Sequence, residues 1–380
     1  MKTKVLVVTL LLTISIFLYI PAEQNSIPKP RWKGSIQTED GVRVLKNPIE
    51  PVYGKIKFKL KEDLCIGKKS DKNYTFNSVR DILVDDQEKI YVTDAGHFRV
   101  QIYDKNGQYI RTVGKHGKGP EEFQWFMALR IDDTTGNLYI QDGARQLKIF
   151  DKQGEYLSTV SLEKSVDVFD LEGNGNLIAV VEHSHALEKY SKALCKINAG
   201  GGIFMSFAEF PYEIHVQKSQ PGDIFVVIET YDLLMKKIDD KRIIYGYSRS
   251  YELNVIDFQG NPIFKIKKDA IPRLFPKEQI QRDKKFNIKT PPYRPLFYSI
   301  FIDSKNRIYV QKNRIMADDI GAYKEVDIYS EDGHYLYEAV LPRGTHLIKN
   351  GFLYAYDIIQ DKIIRYKIKN WEQIKTGILD

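Results

Sequence analysis

One stretch of this chain is written twice in succession, and that repetition limits the fold more than any other feature. Residues 80–113 read RDILVDDQEKIYVTDAGHFRVQIYDKNGQYIRTV, and residues 128–160 answer with ALRIDDTTGNLYIQDGARQLKIFDKQGEYLSTV. The shared frame is an Asp-Asp turn, an apolar run around a Tyr, an Asp, and a second run ending in Tyr-Asp or Phe-Asp. An x-x-Gly turn and a last apolar run complete it. Tyr91 and Tyr139 stand 48 positions apart, close to the period of repeats that fold as sheet blades. Each copy holds four short alternating runs cut by Asp, Asn and Gly, the pattern of four antiparallel strands in a meander.

The frame recurs less cleanly along the rest of the 380 residues. Blade three, residues 166–207, keeps a turn at Gly173-Asn174-Gly175-Asn176. Blade four begins near Glu213, with a strand at 224–227, a long excursion over 230–250 and a further strand ending at Asp257. Blade five restores the frame after Tyr298. Blade six, residues 345–368, has three strands, while an alternating segment at 52–66 belongs to no blade. Pairing that segment with residues 363–368 completes six blades and removes two exposed sheet edges together. The expected fold is all-β: a six-bladed β-propeller of four-stranded antiparallel blades, closed by an N-terminal strand beside the last blade. An apolar content of 43%, with 12% aromatic residues, is ample for such a core and excludes general disorder.

Two segments carry a family likeness. Val92-Thr93-Asp94-Ala95-Gly96-His97-Phe98-Arg99-Val100-Gln101-Ile102-Tyr103-Asp104 resembles the NHL-repeat consensus of six-bladed propellers, as does the Gly-rich run from Gly114 through Pro120 to Phe123. The chain resembles exported bacterial six-bladed propellers of uncharacterised role, strongly over blades one and two and fairly over blade five. That resemblance implies the fold; function has to be argued from a site. Six-bladed propellers include calcium-dependent lactonases and zinc-dependent amidating lyases with sites at the channel mouth. Neither ligand pattern maps onto this sequence, so no catalytic residue is assigned.

The ends and the cysteines set the compartment. Lys2 and Lys4 precede an apolar run over residues 5–20, and Pro21-Ala22-Glu23 follows. This is the layout of a signal peptide, or of an uncleaved N-terminal membrane anchor, over residues 1–22. Residues 23–51, with four prolines, read as a linker, residues 52–370 as the propeller, and 371–380 as a C-terminal tail. The protein is expected to be exported: periplasmic, at the cell surface or tethered to a membrane. Cys65 and Cys195 fall in blades on opposite sides of the ring, beyond the ~7 Å reach of a disulfide, and both read as buried free thiols.

Candidate functional residues come from placing side chains on the expected ring. The second-to-third-strand loops and the blade-to-blade crossings share one face. His97, His183 and His185, with Arg99 and Arg145, fall in or beside the first kind of loop, and His116 falls in the second. His215 and His346 open innermost strands near the channel mouth, with Asp81 and Asp167 at similar places. His334 alone belongs to the opposite face. No spacing shows three or four of these converging on a metal ion, so no cofactor is expected, with calcium or zinc as the alternative. The repeated Asp94, Asp104, Asp142 and Asp151 read as turn residues bonding backbone amides. The Gly114–Pro120 run lacks the Lys-Ser/Thr ending of a phosphate loop and reads as a blade crossing.

The last asymmetry is an insertion at residues 271–297, with five prolines, seven basic and two acidic residues and a short helix expected over 277–286. It reads as a solvated basic flap or as a docking arm beside the channel. An exported chain seldom meets nucleic acid, and a net charge of +7 over this length does not call for it. The expected role is a non-enzymatic binding or scaffold module, monomeric, for a protein, peptide or glycan partner on the long-loop face. The rival is a calcium- or zinc-dependent hydrolase or lyase at the channel mouth; cytoplasmic RNA binding would require an N-terminus that does not act as a signal.

Overall fold

A computed structural model of the chain describes residues 31–67, 70–186, 189–212, 217–218, 224–225, 231–285, 293–312 and 323–378. The segment read as signal peptide or anchor lies outside these residues. Among the described residues no helix is long and apolar enough to cross a membrane.

The repeat folds as six consecutive blades. Their innermost strands are Val79–Val84, Phe126–Ile131, Val166–Gly173, Leu233–Lys237, Ser299–Ile302 and Thr345–Lys349. Each is followed outward by antiparallel neighbours in chain order, except that the fourth strand of blade six comes from the N-terminal part of the chain. The second strands are the most apolar because neighbouring blades cover both of their faces. Ile90–Asp94, Leu138–Asp142 and Ile308–Gln311 are buried at every position, and their β-branched and aromatic residues suit a pleated surface packed on both sides. The core lies between blades. Ile82, Ile90 and Tyr103 of blade one pack with Tyr354 and Ile363 of blade six, for example.

The hairpins between third and fourth strands share one chemistry. Asp104 Oδ1 accepts the amides of Asn106 and Gln108 at 2.9 and 2.8 Å, and Asp151 Oδ1 treats Gln153 and Glu155 alike. Asp257 repeats this in blade four and Asn198 in blade three. Gly107 and Gly154 close these turns at φ +79° and +84°, in the left-handed region that a side chain disfavours. The register slips by one residue beside each, at Ile102/Tyr103 and Ile149/Phe150, which is the bulge that such a turn builds.

The N-terminal part departs from the reading of a linker followed by one strand. Ser35–Glu39 and Val42–Asn47 form a hairpin, and the second of these lies parallel to Pro262–Lys268, making blade four a six-stranded sheet. Val44 and Leu45 are wholly buried there. Residues 52–66 then split. Lys55–Ile56 runs parallel to the outer strand of blade five, Tyr335–Pro342. Leu60–Ile66 lies antiparallel to Lys362–Ile368 as the fourth strand of blade six. The chain thus passes along the outer edges of blades four and five before entering blade six, and covers edges that would otherwise present unpaired backbone.

Blade four also begins later than the sequence reading placed it. Its first two strands are Leu233–Lys237 and Arg242–Tyr247, inside the supposed excursion. The turn between them is set by Asp239, whose Oδ1 accepts the amides of Lys241 and Arg242 at 2.9 Å each. Gln217–Lys218 pairs with Ile224–Phe225 in a separate small ribbon. Cys195 is buried as expected, whereas Cys65 is exposed, because it sits on the outward face of the strand at the rim of blade six. The tail is not loose. Trp371 and Ile374 are buried, and the guanidinium of Arg307 in blade five donates to Ile374 O at 2.8 Å while lying 4.2 Å over the Trp371 ring.

Candidate functional site: the channel mouth

The two faces of the ring differ in what they carry. Turns between first and second and between third and fourth strands are tight. The other face receives the crossing 114–125 and the described parts of the connections into blades four and five, residues 231–232 and 269–285 with 293–298, and the expected helix, Lys277–Lys285, lies in the second of these. The repeated Asp94 and Asp142 hold this face together. Asp94 accepts the amide of Asn77 at 2.8 Å and, through Oδ2, meets His97 Nδ1 at 2.8 Å and Arg99 Nε at 2.9 Å. Asp142 accepts the amides of Gln124 and Trp125 at 2.8 Å and pairs with Lys148. These carboxylates therefore tie each crossing to the blade it enters, beyond bonding their own turns. Trp125, immediately before the inner strand of blade two, is 74% exposed.

The candidate residues separate into three groups. Asp81, Asp167 and His346 line one cavity of about 450 Å³, ringed by innermost-strand residues of all six blades. His97, Arg99, Arg145 and His116 serve the loops instead. Arg99 also donates to Thr75 O, Arg145 to Leu162 O and Glu163 O, and the His116 ring lies 4.5 Å from that of Phe98. His183 and His185 fall on the strand Asn176–Ala186 rather than in a loop, because pairing with Lys189–Ile197 continues to Ala186. His183 Nδ1 is 4.0 Å from Glu209, and the His185 side chain lies outside the described residues. So does His215. The inner strand of blade four starts at Leu233, so Asp232 takes the channel-mouth place assigned to His215.

The channel is built in two polar tiers against an apolar wall. In the outer tier Lys192, from the third strand of blade three, bridges Asp167 at 2.5 Å and Asp232 at 2.9 Å. Burial works to discharge Lys192, but Asp232 and Asp167 together hold its pKa above the ordinary lysine value. In the inner tier Asp170 accepts Arg130 Nε at 2.9 Å and meets Lys236 Nζ at 3.2 Å. Burial raises the Asp170 carboxyl, and Lys236 and Arg130 outweigh it, leaving the pKa lowered. Leu83, Leu234, Phe301 and Leu347 supply the wall.

Blades five and six add two groups poised against burial. Lys324 Nζ donates to Thr345 O at 2.6 Å. Burial pushes its pKa down to about 8 despite the opposing pull of Asp81. The imidazole of His346 is pushed down to about 4 by burial, against Asp81 and with Lys324 assisting, so it is neutral at pH 7. Among the described residues no three His, Cys, Asp or Glu side chains are grouped to hold a metal ion. The channel carboxylates are committed to lysine and arginine.

Residues 70–269 match the model of a family described as 6-bladed beta-propeller, DUF5128. The chain belongs to that family. The DUF5128 match spans blades one to four, which supply both polar tiers, and blades five and six complete the ring outside it. No curated protein matches the sequence. Among solved structures, an exported protein from Bacteroides fragilis is similar at 10% identity and a TM-score of 0.56, covering 85% of this chain and 100% of its own. A member of the DUF4221 family from Bacteroides vulgatus is similar at 12% identity and a TM-score of 0.52, covering 82% of this chain and 98% of its own. At such identities the likeness shows the fold.

Sequence reasoning missed Arg130, Lys192, Asp232, Lys236 and Lys324. Two signals were present. Arg130 and Leu83 face equivalent tyrosines, Tyr139 and Tyr91, so a charge replaces an apolar residue within the repeat frame. Asp239-Asp240 repeats the Asp85-Asp86 and Asp132-Asp133 turn, and it marks Leu233–Lys237 as an inner strand.

Proposed function

We propose that this DUF5128 propeller is an exported, non-enzymatic binding module that takes its partner on the long-loop face, at and around the channel mouth. The observation that carries this reading is the asymmetry of the ring. The crossing 114–125, the exposed Trp125 and the open cavity with its ion pairs share one face, while tight turns occupy the other. Long departures from a repeat are where such folds place recognition. The channel's charges are arranged as side-chain ion pairs, which suits recognition of a polar ligand more than metal-assisted chemistry. Export rests on the basic-flanked apolar N-terminus, in keeping with the structurally similar Bacteroides fragilis protein described as exported. The blades would be of NHL type, as the frame around Val92–Asp104 implies.

Photo-crosslinking amino acids placed at Trp125 and His116, and in parallel at Gln153 and Gln259 on the opposite turns, test the assignment of faces. Crosslinks to envelope components should form from the first pair alone, and the captured partner should be recovered chemically unchanged. Equal crosslinking from both faces, or a partner cleaved on incubation, would overturn the reading.

A further inference from the structure

Resting on the reading of the long-loop face as the binding face, we propose that this face docks on an anionic lipid bilayer through apolar loop tips placed around the channel mouth. Six side chains supply the tips. Trp125 lies in the crossing into blade two, Ile271, Leu274 and Tyr293 in the connection into blade five, and Ile358 and Ile359 between the second and third strands of blade six. All six are between 46% and 75% exposed. Leu274 and Tyr293 are paired across a short antiparallel bridge, so their side chains stand on the same side of it. Among the described residues the tight turns of the opposite face expose no large apolar side chain. Leu157 is also exposed, but it lies on the outer strand of blade two, at the rim.

The arrangement favours a membrane over a folded partner. A protein interface has a packed apolar centre and a polar rim. Here that order is reversed, since the centre is the channel mouth with its ion pairs and the apolar tips stand around it on separate loops. A rigid partner would need a separate pocket for each tip. Lipids rearrange around each one whatever its spacing. Trp125 and Tyr293 suit the headgroup level, where an apolar ring and its polar group both find partners. Docked in this way, the channel mouth faces the headgroup layer.

Charge selects the lipid. The insertion 271–297 carries seven basic and two acidic residues, an excess of five positive charges. Three of these remain when Asp269, just before it, and Glu325, which meets Arg273 at 3.1 Å, are counted against it. Lys277, Lys284 and Lys285 on its helix are exposed. Anionic headgroups attract such a segment by about fivefold in affinity for each charge near the surface, beside tips that gain by leaving water. A zwitterionic surface offers the tips alone.

Vesicle sedimentation tests this. Residues 31–380 form one compact unit that holds every strand of the ring, so a chain beginning at Arg31 reports on the face without the apolar N-terminus. Vesicles of equal parts phosphatidylglycerol and phosphatidylethanolamine should carry it down, and phosphatidylcholine vesicles should bind it roughly tenfold more weakly or worse. Ile271→Asp together with Leu274→Asp should weaken binding about tenfold or more. Lys284→Gln together with Lys285→Gln should weaken it on the anionic vesicles alone. Leu157→Asp, at the rim, should leave it unchanged. Absence of binding to the anionic vesicles, equal binding to phosphatidylcholine, or a loss with Leu157→Asp as large as that with the tip changes would overturn the proposal. If vesicles are not bound while crosslinking at Trp125 captures a protein, the lipid assignment falls and the binding-module reading stands; loss of both removes both.

Discussion

The ammonium of Lys192 lies 2.9 Å from Asp232, and this contact joins blade three to blade four at the mouth of the channel. Asp167 shares the same ammonium at 2.5 Å. Lys192 is nearly buried while both carboxylates are about one-third exposed, so water screens the anions more than the cation. Lys192→Met should destabilise the fold by about 2 kcal/mol, less than for a fully buried pair, because two carboxylates then face each other without the ammonium between them. Urea unfolding measures it. Adding Asp232→Asn to that variant should restore part of the loss, and the double-mutant cycle gives the coupling.

A second ion pair is completely buried. Arg307 Nε meets Asp303 Oδ2 at 2.7 Å with neither side chain exposed, and Tyr309 OH donates to the same oxygen at 2.8 Å. Arg307→Ala should cost about 3–5 kcal/mol, since it strands the Asp303 charge in the interior. It also removes the bond to Ile374 O and the surface under Trp371. Trp371→Ala should cost a similar amount through the cavity it leaves, and the two losses should be less than additive because both release the tail.

Acid should loosen the channel through His346. Its pKa falls from 6.5 to about 4 on folding, so between those values the unfolded chain binds more protons than the folded one. Stability from this group is therefore fully present above about pH 6.5 and is lost as pH falls toward 4. Melting temperatures of wild type and His346→Gln between pH 4 and 7 should converge at the acid end, with the variant showing the shallower slope. For Lys324 the lowered pKa, about 8 against 10.5, means that its burial disfavours the folded state most below pH 8. Lys324→Met should gain stability relative to wild type at pH 7 and lose that advantage above pH 10.

Thiol chemistry should distinguish the two cysteines. Burial raises both thiols, and Cys65 is exposed whereas Cys195 is buried. A disulfide reagent at pH 8 should modify one thiol per native chain and two in denaturant. Cys65→Ser should abolish the native reaction.

Strand content, blade repeat and turn chemistry were legible in the sequence because they are local. An Asp-x-x-Gly turn and a two-residue alternation state their conformation within a dozen residues, wherever they sit in the molecule. Blade four shows where that legibility ended. Lys236-Lys237 and Asp239-Asp240 made its inner hairpin look like a charged insertion, since the carboxylates that neutralise these lysines come from other blades and from the turn itself. The hairpin at Ser35–Asn47 was obscured for a related reason. Its buried Val44 and Leu45 are too few to announce a strand until the edge of blade four is there to receive them.

By itself the sequence determined a ring of six similar sheets and the face on which its long loops gather, because each blade repeats instructions that close over short distances. The tertiary structure alone decided which charges meet in the channel. Lys192 with Asp232, 40 positions apart, and Arg130 with Asp170, also 40 apart, become neighbours because the ring brings successive blades side by side. Ion pairing depends on distance in space, and along the chain these partners carry no mark of one another.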